Sequence, residues 1–459
     1  MNVAVEAEKT QAVLATRKQM FNDFCNTLEN QSIPYVILSG YQGYPDVIDS
    51  DVDFMVSDAD FIRLPSLFLN SKNIPGAQLI QVLQHETSAC YYVLANQVGD
   101  RIAYLHPDAA ANYRRKGRLW LRSEFVLRSR RQTPAGFWVP SAAIEFEYYF
   151  VKRIDKRLVE LRHLQRLSAL LVEDPAGCRA VLTKLVPAKK LEVIAKAITD
   201  LDLAWFANQR DALQTMLANS LTRESIFDRV TSAISELMRR VHRVIKPTGL
   251  VIAVLGPDGS GKTTVIEHLE HELAPAFRRV KRFHLRPHFG QQGADGMVTN
   301  PHASPPRGWL ASLAKMVLFT LDYWSGYLSI IYPAKTCSTL VIFDRHFYDM
   351  VVDPKRYRLP INFWLTRFFV KLVPKPDLWL VLDAPAALLV SRKGELDLAS
   401  AEALSAGYRT LANTLPHGYL VDTSTSLDAT LGSAVQKITE FMHSRTLAYL
   451  GKNPERLSK

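Results

Sequence analysis
The first thirty residues place Val13, Leu14, Met20, Phe21 and Phe24 at helical spacing, which predicts an opening helix. Tyr35–Leu38 (YVIL) is a short apolar β-type run. A turn with Gly40 and Pro45 separates it from a second strand, Asp51–Val56 (DVDFMV). Cys90–Ala95 and Arg101–Leu105 read as paired strands around a turn at Gln97–Asp100. From about Ser141 to Ile245 the pattern is helical, with breaks at Asp174-Pro175-Ala176-Gly177 and at Pro187. Lys246-Pro247-Thr248-Gly249 then punctuates the chain. Beyond it, apolar strands at Leu250–Leu255, Thr339–Asp344 and Leu378–Leu382 alternate with helical stretches, the signature of a parallel sheet covered on both faces.

This pattern divides the chain into an α+β region at 1–140, a helical region at 141–246 and an α/β region at 247–459. The length of 459 residues suits two or three such bodies, each with its own core. Trp309–Ala334 is strongly apolar, but Lys315 and Asp322 interrupt it, so it is expected as a buried helix and not a membrane span. The opening residues lack a basic stretch followed by an apolar core, so no signal peptide is expected.

Charge adds one feature. The net charge of +11 is concentrated in Arg101–Arg131 and in the group Arg278, Arg279, Lys281, Arg282 and Arg286. Such clusters fit a solvated basic face, a polyanion site or attraction of phosphorylated small molecules. No helicase-type series of motifs accompanies them, so a nucleic-acid-associated NTPase ranks below the readings that follow. Cys25, Cys90, Cys178 and Cys337 are scattered, without zinc-ligand spacing or a disulfide framework, which fits a reducing cytoplasm.

The chemistry is densest at Gly256-Pro257-Asp258-Gly259-Ser260-Gly261-Lys262-Thr263, which fits GxxxxGK[ST] in full between a strand and a helix. Its glycines let successive backbone N–H groups face a phosphate chain, and the helix start adds a favourable dipole. Lys262 brings a cation to the outer phosphates of ATP. The Thr263 hydroxyl suits Mg²⁺, and Thr264 completes the binding segment. The strand Thr339–Asp344 ends in Asp344-Arg345, where ligands of open α/β sheets gather. Asp344 would take the acceptor's proton or orient Mg²⁺, and Arg345 would grip an anion. Asp383 ends a third strand, as a metal-shell group or a helix cap before Pro385. Arg392, Lys393, Gly394 and Glu395 fit a basic lid or a solvated helix face.

GPDGSGKTT, VIFDRH, WLVLDAP and SRKGE, in this order, resemble the thymidylate kinase branch of P-loop nucleotide kinases over roughly residues 249–459. The resemblance implies a P-loop fold using ATP and Mg²⁺. Lys262 and Thr263 would hold both, Asp344 and Arg345 would contact the acceptor, Arg392 would be the lid arginine, and a homodimer is expected. The segment after Arg345 departs from that family. It reads HFYDMVVDPKRYR, with Asp349 and Asp353 suited to a hydroxyl-rich ligand and Arg356 and Arg358 to phosphate or carboxylate. It looks like the thymidylate-kinase-like proteins of surface-polysaccharide clusters. The His284-Leu285-Arg286-Pro287-His288 stretch is similar there too, with Arg286 in the same cleft. The acceptor is thus left open among nucleotide, sugar and sugar phosphate.

In the N-terminal region, Asp51 and Asp53 are expected on one face of a strand, where two carboxylates repel unless a cation lies between them. Asp108 follows the strand ending at Leu105 and supplies a third acid for Mg²⁺. Gly40, the DxD of Asp51-Val52-Asp53 and the later Asp108 resemble the DNA polymerase β-like nucleotidyltransferase superfamily over roughly residues 30–140. Tyr41 stands where that pattern has a small residue, and Pro107 adjoins the third acid. The resemblance implies either a bifunctional enzyme or a retained fold that binds without catalysis.

Overall fold
The computed structural model describes residues 2–86, 88–115, 118–220, 226–287, 307–360, 364–393 and 397–451. The chain forms two compact units. One comprises Met1–Asn96, Ala103–Arg240 and Thr446–Lys459; the other comprises Gln97–Ile102 and Val241–Arg445.

The first unit opens with α1 (Asn2–Asn30), whose Met20, Phe21, Phe24 and Leu28 form one buried stripe. Its main sheet runs β1 (Tyr35–Ile37), β2 (Val52–Val56), β3 (Gln78–Glu86), β4 (Ala89–Val98), β5 (Arg101–Leu105) and β6 (Pro107–Ala110) along the chain. In space the order is β1-β2-β6-β4-β3, with β5 paired to β4. β2 is antiparallel to β1 and parallel to β6, and that parallel register sets Asp53 opposite Asp108. Asp108 therefore has a strand of its own after the one ending at Leu105. Pro107 is tolerated there because it is the strand's first residue. Asp51 lies just ahead of β2 and not within it.

The helices that follow build a second core within the same unit. α2 (Ala142–Asp155) and α3 (Leu161–Glu173) pack Phe146, Phe150, Leu164 and Leu167 against Leu182, Ile198 and Leu213 of later helices. The expected break at Asp174 is a helix start: its carboxylate accepts from the Gly177 N–H at 2.9 Å. Pro187 likewise sits at the start of the next helix, Ala188–Thr199.

The second unit carries the alternating pattern. Its strands are β7 (Leu250–Leu255), β8 (Arg279–His284), β9 (Thr339–Asp344), β10 (Leu378–Asp383) and β11 (Gly418–Asp422). They form an all-parallel sheet in the order β8-β9-β7-β10-β11. Every residue of β7 is buried, as expected where helices cover both faces. The helices that matter here are α4 (Lys262–Leu273), α5 (Trp309–Gly326), α6 (Ala386–Lys393) and α7 (Leu398–Thr414). The apolar stretch from Trp309 is helical but not buried throughout. Met316 and Tyr323 face the core, whereas Leu310, Leu318 and Leu321 are exposed. Among the described residues no helix is long and apolar enough to cross a membrane.

Candidate functional site
β7 is the central strand, and it delivers the glycine-rich loop between the carboxyl ends of β9 and β10. Gly256 has φ +147°, and a Cβ there would come within 2.8 Å of the Leu382 carbonyl, so no larger residue fits. Gly259 and Gly261 take left-handed φ values of 84° and 85°, and α4 starts immediately after. The Lys262 ammonium is buried and donates to the loop's own carbonyls, Gly256 at 2.9 Å and Pro257 at 2.7 Å. Burial and the neighbouring Arg345 guanidinium pull it down to about 7, against the pull of Asp258. The Ser260 hydroxyl is fully buried and meets no protein partner. Thr263 and Thr264 are exposed on the first turn of α4. An orphaned hydroxyl and a cation bonded only to its own loop suit a ligand rich in oxygen acceptors.

Asp344 and Asp383 flank this loop from β9 and β10. Asp344 lies 3.5 Å from His284 Nδ1 and 3.4 Å from an Arg282 nitrogen. Burial raises its carboxyl, but His284, Lys262 and Arg345 outweigh that and hold it at about 2. It is a carboxylate at neutral pH and a weak proton acceptor. Asp383 accepts from Arg409 Nε at 2.7 Å through one oxygen, while the other is buried without a protein partner.

Of the remaining predicted residues, Arg345, Asp349 and Arg356 form a second cluster that reaches the loop at Asp258. Arg345 is 3% exposed, with φ 71°. It donates to Asp349 at 2.7 Å with one nitrogen and to Asp258 with the other, and Asp258 also accepts from Arg356. Burial works against ionisation of Asp258, but Arg345, Lys262 and Arg356 push its carboxyl far below the usual range. The loop position expected to serve ATP thus faces two acceptor-side arginines.

Asp349 corrects a further expectation. It is fully buried, and its oxygens accept from Arg345, from Tyr357 at 2.7 Å and from Tyr408. It therefore fixes Arg345 instead of offering oxygens to a hydroxyl-rich ligand. Asp353 is buried and accepts from the Arg356 N–H at 3.2 Å, which closes the turn that carries Arg356. Arg358 has φ 56°, and its carbonyl accepts from the Arg307 N–H at 2.9 Å. Arg286 pairs with Asp322 of α5 at 3.0 Å and lies 4.0 Å over the Phe319 ring. Arg392, on α6, is exposed and donates to the carbonyls of Gly259 and Thr423, each at 3.3 Å. His288, Gly394 and Glu395 lie outside the described residues, so the lid expectation extends there only to Arg392.

Sequence reasoning missed Tyr408, Asp322 and Arg409. Each is far along the chain from the residue it serves and sits on a helix without a motif. Only the fold brings it in.

The carboxylates of the first unit are arranged differently. Asp53 accepts from the Lys152 ammonium of α2 at 2.7 Å, and the Ser39 hydroxyl lies at 3.4 Å. Asp51 accepts from Tyr91 at 3.0 Å, with His106 Nδ1 at 3.9 Å. Burial, reinforced by Asp53, pushes Asp108 up to about 7. Among the described residues no three His, Cys, Asp or Glu side chains are placed to hold a metal ion. Where the sequence pattern expects Mg²⁺ at Asp51, Asp53 and Asp108, a side-chain ammonium bonds Asp53. Tyr41 is anchored elsewhere: its hydroxyl donates to buried Glu145, which also pairs with Arg166 at 2.6 Å.

No family model matches the chain. The thymidylate kinase of Xanthomonas euvesicatoria pv. vesicatoria (strain 85-10) is 34% identical over 141 residues, 31% of this chain and 59% of that protein. The chain thus spans little more than half the length of this relative. The thymidylate kinase of Xanthomonas oryzae pv. oryzae (strain PXO99A) is 30% identical over 201 residues, covering 41% of this chain and 83% of the relative. The solved thymidylate kinase of Candida albicans is 20% identical, covers 42% of this chain and 92% of its own, and gives a TM-score of 0.32.

Proposed function
The chain belongs to the thymidylate kinase family through a stretch of 201 matched residues, and from that premise we propose that its second unit transfers a phosphoryl group from ATP to a nucleoside monophosphate or a similarly phosphorylated small acceptor. The observation that supports this most is the pairing of two cationic groups around one loop. Lys262 sits among the loop carbonyls, where the outer phosphates of ATP would replace them. Arg345 and Arg356 converge on Asp258, where the acceptor's anion would take over the same guanidinium groups. Thr263, Asp344 and Asp383 are the oxygen donors that would hold Mg²⁺, which when bound neutralises charge on the phosphates. Asp344 is assigned to this role and not to proton abstraction, because its carboxyl is held at about 2. Arg392 lies against the loop at Gly259 and adds positive charge where the transferred group would pass.

The test is phosphoryl transfer from ATP with Mg²⁺ to a panel of nucleoside monophosphates, free sugars and sugar phosphates. Transfer to dTMP places the chain with its relatives in activity. Transfer to a sugar or sugar phosphate alone assigns the segment around Arg356 to a different acceptor, as in surface-polysaccharide assembly. A protein that neither binds nor turns over ATP overturns the proposal.

For the first unit we propose a nucleotidyltransferase-like arrangement kept without that superfamily's metal chemistry. The left-handed Gly40 and the register of Asp53 against Asp108 support the arrangement. The engagement of Asp53 by Lys152 argues against the metal.

A further inference from the structure
α2 places Tyr148 and Lys152 one turn apart on the same face. The face is buried: Tyr148 is 3% and Lys152 8% exposed. The ammonium donates to Asp53 and to the Tyr148 hydroxyl, both at 2.7 Å, and lies 4.9 Å from the centre of the Tyr148 ring. A lysine ammonium has three protons, so two are fixed by named partners inside the unit. Asp53 in turn faces Asp108 across the parallel strands, and Asp51 is taken up by Tyr91.

Two facing carboxylates and a third nearby favour a positive charge among them, and burial together with their repulsion pushes Asp108 up to about 7. A divalent ion would supply it only by taking several oxygens at about 2.0–2.6 Å. An ammonium bonded to one of those oxygens opposes that directly, since it brings a like charge against the ion.

We infer that Lys152 is the resident cation of the Asp51–Asp53–Asp108 site, occupying through its bond to Asp53 the place a divalent ion would take. The inference rests on the nucleotidyltransferase-like reading of the first unit. It goes beyond that reading by assigning the charge to one side chain. A helix residue 99 positions from Asp53 thereby neutralises the site from within. Metal-dependent nucleotidyl transfer has no ion to work through there. Removing the lysine charge restores a divalent site.

The experiment is Mn²⁺ binding to the full chain without nucleotide, followed by electron paramagnetic resonance. Wild type is compared with Asp53→Asn, Lys152→Met and the double variant Lys152→Met/Asp53→Asn. Wild type is expected to show no Mn²⁺ binding that depends on Asp53. Lys152→Met is expected to bind one further Mn²⁺ at least ~100-fold more tightly than wild type, since a like charge beside the ion is gone. The double variant is expected to lose that gain. Where Lys152→Met does not fold, Lys152→Gln replaces it: the amide keeps a donor for Tyr148 without the charge. A wild-type Mn²⁺ site abolished by Asp53→Asn overturns the inference, and with it the loss of metal chemistry, but leaves the nucleotidyltransferase-like arrangement standing. A folded lysine variant that gains no Mn²⁺ overturns both, because the lysine then stands in no ion's place.

Discussion
Lys262 and Lys152 are both buried ammonium groups beside carboxylates, one in each unit, and their surroundings differ in kind. Lys262 bonds only backbone carbonyls of a loop, within 3.8 Å of Asp258. It pays for burial with a carboxylate neighbour already claimed by two arginines. Lys152 bonds a carboxylate and a phenol directly. A cation left on carbonyls is ready to exchange them for phosphate oxygens, and a cation given a carboxylate has finished its exchange. Under the proposed function the same residue type thus serves a phosphate site in one unit and is held in an ion pair in the other.

The largest expected effect comes from removing the unsettled lysine. Lys262→Ala should lower kcat for phosphoryl transfer by ~10²–10³-fold, the usual effect of deleting a preorganised electrostatic group. Steady-state assays at saturating ATP check this, and an unchanged rate would erase the contrast between the units. Asp349→Ala follows: it strips a buried carboxylate from Arg345, and stability should fall by about 3 kcal/mol in urea melts. That is the low end for a broken buried pair, because Asp258 still faces the guanidinium. Tyr41→Phe sharpens the comparison from the other side. Loss of its bond to Glu145 should cost about 1.5 kcal/mol of stability while phosphoryl transfer per folded molecule stays the same.

The finest distinction is in pH dependence, where the two units should respond with opposite sign. Lys262 falls from 10.5 to about 7 in the folded protein, so the unfolded chain holds more protons between those values. Its contribution therefore makes stability rise with pH across that window. In the free enzyme the same proton loss should lower kcat/KM for ATP above about pH 7. Asp108 rises from 3.8 to about 7, so the folded protein holds more protons there and stability falls as pH increases. Hydrogen exchange measured separately on β6 and β7 reads both slopes. Asp108→Asn should flatten the first alone.

The glycine-rich loop was legible because its information is contiguous: three glycines, a lysine and a threonine within eight positions, between an apolar strand and a helix. The ends of β9 and β10 were legible for a related reason, since an apolar run closing on aspartate shows where a buried strand meets solvent. The duties of Asp349 and Asp51–Asp53 were not. Local chemistry makes each a free carboxylate, and only the fold supplies Tyr408, Tyr91 and Lys152, which lie 59, 40 and 99 positions away. The exposed side of α5 was misjudged because an apolar run does not reveal that the helix packs on one face only. Hydrophobic pattern thus located the elements, while the partners of charged groups depended on long-range pairing that spacing does not encode.

Asp258 has one more consequence. Its carboxylate rides on the same loop that would receive ATP, and it already occupies the arginines an acceptor would need. It behaves as a tethered competitor, present at an effective concentration of the order of millimolar or above. A visiting anion gains a foothold only if it offers the two guanidinium groups more charge than a single carboxylate does. A dianionic phosphate monoester does so; a simple carboxylic acid or a neutral sugar does not. Under the proposed function the resting protein would therefore screen its visitors by charge before any shape is compared.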